Sequence, residues 1–261
     1  MLVDNVNPAK EKLRAGGKLS ACWLQAGSGV TAEIVAEAGV DVGVIDLEHG
    51  PGDIMILASQ IQAMKNCPAV PFARAPWNDM VAIKRILDAG VYGLIVPYVN
   101  TREEAVRAVA AAQYPPAGVR GIAGSPRAAH YANQSIEYLK RANDAIFIFT
   151  QVETVEAIRN LDAILTVERL DGIFIGPMDL STSMGRFASP GDPDVKDAIL
   201  GIEKKVLQAG KILATVGSGW EDAKEKYDRG YGLVIYLSDT MTLGQAIRER
   251  IAPFKKTFGG L

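Results

Sequence analysis

Cysteine is almost absent from this sequence, and its scarcity narrows the possible classes of protein. The chain has only two cysteines, Cys22 and Cys67, and they form no CxxC motif. A disulfide framework or a structural zinc site is therefore not expected, because both need several suitably spaced cysteines or histidines. Histidine is equally scarce, with only His49 and His130 in the chain.

An excess of charge and a long apolar run are also missing. The 28 basic and 30 acidic side chains leave a formal net charge of −2. We therefore expect no nucleic-acid partner, since such a protein normally shows a concentrated basic face. No apolar stretch approaches the roughly 20 residues that span a bilayer, and the first residues lack a signal sequence. The sequence thus predicts a soluble cytoplasmic protein without membrane contact.

One repeated pattern fills most of the chain: a short apolar run, a turn rich in Gly, Pro or Asp, and a helical stretch. Hydrophobic residues make up 48% of the sequence, enough for a large core. Several runs are continuously apolar, as in parallel strands that are buried on both faces. The pattern predicts eight strands: Ser20–Leu24, Val42–Asp46, Val70–Ala73, Gly93–Val96, Ala145–Thr150, Gly172–Ile175, Ile212–Ala214 and Gly232–Ile235.

Eight strand–helix units in 261 residues match the size of a (β/α)8 TIM barrel, an α/β fold. We predict one barrel domain over residues 1–261, with a doubly wound open sheet as the alternative. One segment, from Tyr114 to Arg141, interrupts the repeat and is far longer than an ordinary strand–helix loop. We interpret it as a functional or interface loop, in which His130 has a structural or interface role.

Polar residues follow four of the predicted strands, at the ends that meet at one rim of a barrel. His49 and Arg74 are about one repeat apart, as are Glu153 and Asp179. Each pair is therefore expected on neighbouring strands. The residues that converge on this rim are Asp46, Glu48, His49, Arg74, Gln151, Glu153 and Asp179.

The residue types at this rim suit a divalent cation. The carboxylates of Glu153 and Asp179, with an amide nearby, are hard oxygen ligands for Mg²⁺ or Mn²⁺, with Co²⁺ as a further candidate. Substrate and water would complete the coordination, which leaves the open position that Lewis-acid catalysis requires. His49 is a candidate base whose ring the nearby Asp46 would orient. Arg74 offers a charged fork for a carboxylate or an enolate oxygen.

Each of these residues also has a structural interpretation. Asp179 could cap a helix, Glu153 could begin one, and Arg74 could form a salt bridge at the rim. The joint convergence from four strands favours the catalytic interpretation. No lysine follows a predicted strand, and neither a GxSxG elbow nor a P-loop occurs. A Schiff base is thus not expected, and carbanion chemistry would require a metal-stabilised enolate.

These segments resemble the HpcH/HpaI family of metal-dependent (class II) pyruvate aldolases. The resemblance is carried by IDLEHGP, the RAPWND segment, YPPAGVRG, the QVET that follows a buried strand, and GPMDLS, in that order. It covers roughly residues 20–185. The segments ATVGSGWEDA and IYLSDTMTLGQA match only loosely, so the resemblance defines the pyruvate end of the substrate and not the aldehyde end.

The resemblance implies a role for each residue of the cluster. It implies that Glu153 and Asp179 bind the metal, that His49 is the catalytic histidine with Asp46 as its partner, and that Arg74 stabilises the enolate oxygen. It also implies a substrate-binding set that lies near the pyruvate and the metal: Gln151, Arg74, Pro177, Met178 and Asp179.

The reaction implied is the reversible cleavage of a 4-hydroxy-2-oxo acid, such as 4-hydroxy-2-oxoheptanedioate, to pyruvate and an aldehyde. The family also implies a part in the catabolism of aromatic compounds and a homo-oligomer, a hexamer built as a trimer of dimers. In it the amphipathic stretch Thr240–Ile251 would pack on a neighbouring subunit. Two alternatives stay open: a lyase for acyl-CoA esters of hydroxy acids, and a non-catalytic protein that binds a keto acid.

Overall fold

The computed structural model describes residues 7–133 and 135–259. Within that part of the chain, eight parallel strands close into a barrel in sequence order, and the last strand pairs with the first. The predicted (β/α)8 barrel is thereby confirmed, and the alternative open sheet is wrong. The strands are β1 (Leu19–Leu24), β2 (Val42–Asp46), β3 (Val70–Arg74), β4 (Gly93–Val96), β5 (Phe147–Val152), β6 (Gly172–Ile175), β7 (Ile212–Val216) and β8 (Leu233–Ser238).

The predicted strands differ from the observed ones at their ends. Strand β5 begins at Phe147 and not at Ala145, because the preceding helix continues through Ala145. Strand β8 extends three residues beyond Ile235, as far as Ser238. These ends pair with neighbouring strands, and such pairing is not visible in a local apolar pattern.

Helices follow the strands closely, and polar side chains mark where several of them begin. Asp53 and Asp79 cap the helices after β2 and β3, and Thr101 forms a capping box with Glu104 after β4. The helices are α1 (Pro8–Arg14), α2 (Gly29–Glu37), α3 (Ile54–Ala63), α4 (Met80–Ala89), α5 (Arg102–Ala112), α6 (Ser135–Ala145), α7 (Val155–Leu165), α8 (Pro177–Ser183), α9 (Pro193–Gln208), α10 (Trp220–Asp228) and α11 (Asp239–Phe258).

The core has two layers, because successive side chains of a strand point to opposite faces of the sheet. One layer fills the barrel interior and includes Phe72, Phe149 and Phe174. The other layer lies between the strands and the helices. Trp23 belongs to the inner layer, and the guanidinium carbon of Arg74 lies 4.5 Å from the centre of its ring. The barrel interior is therefore apolar directly below the polar side chains of the rim.

The described part of the long insertion packs around its own small core. Arg120 is fully buried there, 2.6 Å from Asp88, and its guanidinium lies over the ring of Tyr114. Arg127 donates a hydrogen bond to the carbonyl of Ala89 at the end of α4. A short 3-10 segment, Arg127–Ala132, places His130 in left-handed backbone geometry, with a φ of 53°. The predicted interface role of this segment stays a prediction.

The last helix, α11, is longer than predicted and lies largely on the surface. Asp239 at its start is buried and accepts hydrogen bonds from the backbone amides of Gln25 and Ala26. In the described residues, no helix combines the length and the hydropathy needed to cross a bilayer. The large apolar side chains that α11 exposes are Met241, Leu243, Ile247, Ile251, Phe254 and Phe258.

Candidate active site

The predicted polar cluster lies at the carboxyl-terminal rim of the barrel. Asp46 and Arg74 are direct partners in the register of β2 and β3. Gln151 lies on β5, Glu153 directly follows it, and Asp179 is in the first turn of α8, directly after β6. Strands β5 and β6 are neighbours in the barrel. The expectation that each pair lies on adjacent strands is therefore confirmed.

Asp46 and Arg74 form a buried, two-pronged ion pair. The Nε and Nη2 atoms of Arg74 donate to Oδ1 and Oδ2 of Asp46 at 2.9 and 2.7 Å. The third nitrogen of the guanidinium, Nη1, lies 3.0 Å from Glu48 Oε2. Burial alone would raise the pKa of Asp46, but the hydrogen bonds and charge of Arg74 outweigh it and lower that pKa. The arginine is thus fixed in one orientation by two carboxylates.

The predicted contact between Asp46 and the imidazole of His49 does not form in the described structure. Asp46 instead accepts hydrogen bonds from the backbone amides of Glu48 and His49, at 3.1 and 3.2 Å. The reason is the register, which places Asp46 opposite Arg74, so that the guanidinium takes up the carboxylate. The His49 side chain is 60% exposed, and its Nε2 lies 3.9 Å from Glu48 Oε2. It is therefore accessible to a substrate at the rim.

Glu153 is almost completely buried at the end of β5. Its Oε1 accepts a hydrogen bond from the backbone amide of Tyr98 at 2.7 Å, and Gln151 donates its amide to Oε2. Burial raises the pKa of Glu153 to about 7. The two hydrogen bonds oppose this shift, and the charges of Glu48 and Asp179 add to it.

The Glu153 carboxylate has room because the neighbouring residue 176 is a glycine and has no side chain. A Cβ atom at Gly176, the residue before α8, would lie 2.7 Å from Glu153 Oε2 and 3.2 Å from Gln151 Nε2. The next residues, Pro177 and Met178, lead into Asp179, which is half-buried in the first turn of α8. The tight turn at Gly176 therefore brings the α8 carboxylate to the same part of the rim as Glu153.

The carboxylates of Glu48 and Asp179 lie close enough to Glu153 for their charges to raise its pKa. Burial raises the pKa of Glu48, the charge of Arg74 opposes the shift, and the charges of Asp46 and Asp179 add to it. The Oε1 atom of Gln151 is buried and has no hydrogen-bond partner among residues 7–133 and 135–259. The carboxylates of this part of the rim outnumber its one arginine, and such a group of oxygen ligands suits a hard divalent cation. In the same described ranges, no three His, Cys, Asp or Glu side chains enclose a metal position.

Sequence reasoning misses two residues that support the site. Gln25, at the end of β1, donates its amide to Asp46 Oδ2 at 2.8 Å and accepts a hydrogen bond from Ser238. Tyr98 contributes a backbone amide, which carries no signal in sequence. Gln25 directly follows an apolar run, so its place after a strand could have identified it as a rim residue.

The lysines lie away from this rim, as predicted. Lys84 is within α4, whereas Lys18 and Lys211 precede β1 and β7 at the opposite end of the barrel. Lys211 donates a hydrogen bond to the carbonyl of Leu170 at 2.6 Å. None of these three amines belongs to the cluster, which is in accord with chemistry that does not involve a Schiff base.

Comparisons with known proteins find relatives that match nearly the whole chain. The chain is 39% identical over 248 residues to the 4-hydroxy-2-oxo-heptane-1,7-dioate aldolase of Klebsiella pneumoniae, covering 95% of this chain and 94% of that protein. An Escherichia coli protein of the same name is also 39% identical and is covered to 95%.

Solved structures show the same fold over nearly the whole chain. An HpcH/HpaI aldolase/citrate lyase family protein from Burkholderia cenocepacia superposes with a TM-score of 0.91 at 32% identity, covering 96% of this chain and 100% of that one. An HpcH/HpaI aldolase from Desulfitobacterium hafniense gives a TM-score of 0.87 at 27% identity, with 96% and 97% covered. The sequence profile of the HpcH/HpaI aldolase/citrate lyase family matches residues 19–245. Profile and relatives agree, and the chain belongs to this family of carbon–carbon lyases.

Proposed function

We propose that this chain cleaves a 4-hydroxy-2-oxo acid reversibly to pyruvate and an aldehyde, with 4-hydroxy-2-oxoheptanedioate as the first substrate to test. The observation that carries the proposal is the convergence of Arg74, His49, Glu153 and Asp179 at one rim of the barrel. The names of the K. pneumoniae and E. coli relatives support the same reaction class.

The carboxylates of Glu153 and Asp179 would hold a divalent cation, with Mg²⁺ or Mn²⁺ as the candidates. The fit rests on the cluster of like charges, on the buried acceptor atom of Gln151 and on the absence of a sulfur ligand in this donor set. Such a cation supplies Lewis-acid polarisation of a keto group. Gln151 holds Glu153 in place, and the backbone of Pro177–Asp179 would bind the carboxylate of the keto acid.

Arg74 would stabilise the negative charge that develops on the 2-keto oxygen. Its guanidinium already has a fixed orientation, so little reorganisation is needed when the charge appears. Asp46 acts as the anchor of Arg74 and not as a proton carrier. Five donors, from Arg74, Gln25 and the backbone after β2, already occupy its two oxygens.

His49 would act as the base because its imidazole is exposed at the rim. In the cleavage direction, proton removal from the 4-hydroxyl allows the C4–O bond to become the carbonyl of the aldehyde. The electrons of the C3–C4 bond then form a C2–C3 double bond, while the π electrons of the C2 carbonyl move onto its oxygen and give the enolate of pyruvate. When the C2 carbonyl forms again, C3 takes up one proton, equivalent to the proton that His49 removed, so that protons and charge balance.

We also propose that α11 packs on a neighbouring subunit of a homo-oligomer. The apolar face of this helix, with Leu243, Ile247 and Phe254, is uncovered in the single chain. An uncovered apolar stripe of this length is typical of an interface between subunits. Sedimentation analysis of the purified protein tests the predicted hexamer.

Pyruvate release tests the proposed reaction. The purified chain is incubated with 4-hydroxy-2-oxoheptanedioate, and pyruvate is measured with a coupled dehydrogenase. We expect EDTA to abolish release and added Mg²⁺ or Mn²⁺ to restore it. Full activity after removal of the metal would contradict the proposal. Treatment with borohydride and pyruvate should leave the protein mass unchanged, and a trapped adduct would instead identify a lysine.

A further inference from the structure

Two exposed aromatic residues stand beside the carboxylates of the site. Trp77, in the segment between β3 and α4, is 55% exposed, and Tyr98, in the segment between β4 and α5, is 37% exposed. Their rings are stacked, with centroids 5.4 Å apart and planes inclined by 29°. Large exposed aromatic surfaces often mark positions where a ligand binds.

Tyr98 is fixed directly beside Glu153. Its backbone amide donates to Glu153 Oε1 at 2.7 Å, and its φ of 52° is in the left-handed region that non-glycine residues seldom adopt. The ring of Tyr98 is therefore held next to the Glu153 carboxylate, at the mouth of the site.

The cations near the rim are already paired with carboxylates in the described chain. Between the strand ends and the helices that surround the barrel, the described residues include one arginine, Arg186 in the segment between α8 and α9, and it is paired with Asp192 and Asp194. Arg74, at the last position of β3, is already paired with Asp46 and Glu48. An aldehyde with a carboxylate tail would thus approach a negative rim without a partner, whereas a neutral aldehyde would not.

We propose that the Trp77–Tyr98 pair binds the aldehyde-derived end of the substrate, and that it favours a flat apolar or aromatic group over a second carboxylate. The inference rests on the proposed aldolase function and defines its substrate class. The stacked rings present a broad apolar surface, and the position of Tyr98 against Glu153 sets its distance from the reacting carbons. Loss of one such contact typically lowers kcat/KM by about 10- to 100-fold.

The first measurement separates this inference from the proposed function. Wild-type protein with Mn²⁺ is incubated with pyruvate in D2O, and exchange of the methyl protons is followed by NMR. Exchange needs the pyruvate enolate but no aldehyde. If no exchange occurs, the aldolase function itself fails. If exchange occurs, the acceptor comparison tests the aromatic subsite alone.

The acceptor comparison uses benzaldehyde and succinic semialdehyde with pyruvate, in the direction of carbon–carbon bond formation. We expect wild-type kcat/KM to be higher for benzaldehyde. Trp77→Ala and Tyr98→Ala should lower the ratio of benzaldehyde to succinic semialdehyde kcat/KM by about tenfold or more. Tyr98→Phe keeps the ring and should keep most of the ratio. A wild-type preference for succinic semialdehyde, or an unchanged ratio in both alanine variants, would overturn the proposal.

Trp220 provides a matched control within the same chain. It is 57% exposed at the start of α10 and contacts the ring of Tyr236, with centroids 6.2 Å apart. Trp220→Ala should therefore leave the acceptor ratio unchanged. If Trp220→Ala alters the ratio and Trp77→Ala does not, the subsite is assigned to the wrong aromatic pair. If Trp77→Ala produces a smaller oligomer and loses both acceptors equally, the pair is a subunit contact and the proposal is wrong.

Discussion

Asp46 and Arg74 face each other across neighbouring strands and are joined by two hydrogen bonds, of 2.9 and 2.7 Å. The pair lies at the junction between the apolar barrel interior and the polar rim, with the ring of Trp23 beneath the guanidinium. A carboxylate in this position fixes the arginine before any substrate is present. The catalytic contribution that we propose for Arg74 would therefore depend on a preformed geometry.

Arg74→Lys should lower kcat by about 10²- to 10³-fold, because lysine keeps the charge but lacks the planar fork. Pyruvate release under saturating metal measures the effect. Arg74→Ala should additionally lower the free energy of unfolding, by about 3–5 kcal/mol, since Asp46 and Glu48 would be left buried without a cation. A lysine variant with wild-type kcat would show that the developing charge is stabilised elsewhere.

The positions of the site residues could be predicted from sequence, but the contacts between them could not. Asp46, Arg74, Glu153 and Asp179 all follow apolar runs, and parallel strands in a barrel necessarily bring such positions to one rim. The partner of Asp46 depends on strand register, which makes it Arg74 and not His49. Spacing along the chain contains no information about that choice.

Glu153→Gln should stabilise the metal-free protein at alkaline pH. Glu153 has a pKa of about 7 in the folded state, against 4.5 for an ordinary glutamate, so the folded state binds the additional proton between these values. The stability contributed by this proton is complete below pH 4.5 and is lost as the pH rises through 7. At pH 8 the variant should therefore be more stable than wild type by an amount on the order of 3 kcal/mol, and near pH 4.5 the two should converge.

Urea unfolding in EDTA at several pH values measures this difference. Glu156→Gln, at an exposed position in the first turn of α7, is the matched control and should change the unfolding free energy by less than about 0.5 kcal/mol. With saturating Mn²⁺ the order should reverse, because wild type gains the free energy of metal binding. A destabilised Gln variant in EDTA at pH 8 would contradict the repulsion among these carboxylates.

Gly176→Ala should weaken metal binding without unfolding the barrel. The new methyl group would meet Glu153 Oε2 at 2.7 Å and the Glu153 Cβ at 3.0 Å, so the carboxylate must move. Because Glu153 is a proposed metal ligand, its displacement should cost at least the roughly 10- to 100-fold in metal affinity that is typical of mutations next to a ligand, which calorimetric titration with Mn²⁺ measures. Gly201→Ala in α9 is the control, because a methyl group there meets no atom within 4 Å. It should raise stability by about 0.5–1 kcal/mol and leave metal affinity unchanged.

The alternation of strands and helices could be predicted because the strands are largely buried on both faces and most of the helices begin at a polar cap residue. The hydrogen bonds that backbone amides donate to the site carboxylates could not be predicted from the sequence. The amide of Tyr98 could be contributed by almost any residue type, so its hydrogen bond to Glu153 leaves no mark in the sequence. The same is true of the two backbone amides that bind Asp46 after β2.

Gln25→Leu should loosen the Asp46–Arg74 pair and lower kcat more than it changes KM. The amide of Gln25 donates to Asp46 Oδ2 at 2.8 Å, and a hydrogen bond to a charged group contributes about 1.5–3 kcal/mol. Urea unfolding should show a loss of that size. Gln62→Leu, at an exposed position on α3, is the control and should leave both quantities unchanged. A Gln25 variant with a normal kcat but the same loss of stability would show that Gln25 supports the fold alone. A parallel fall in kcat with unchanged KM would show that the orientation of Arg74 depends on this amide.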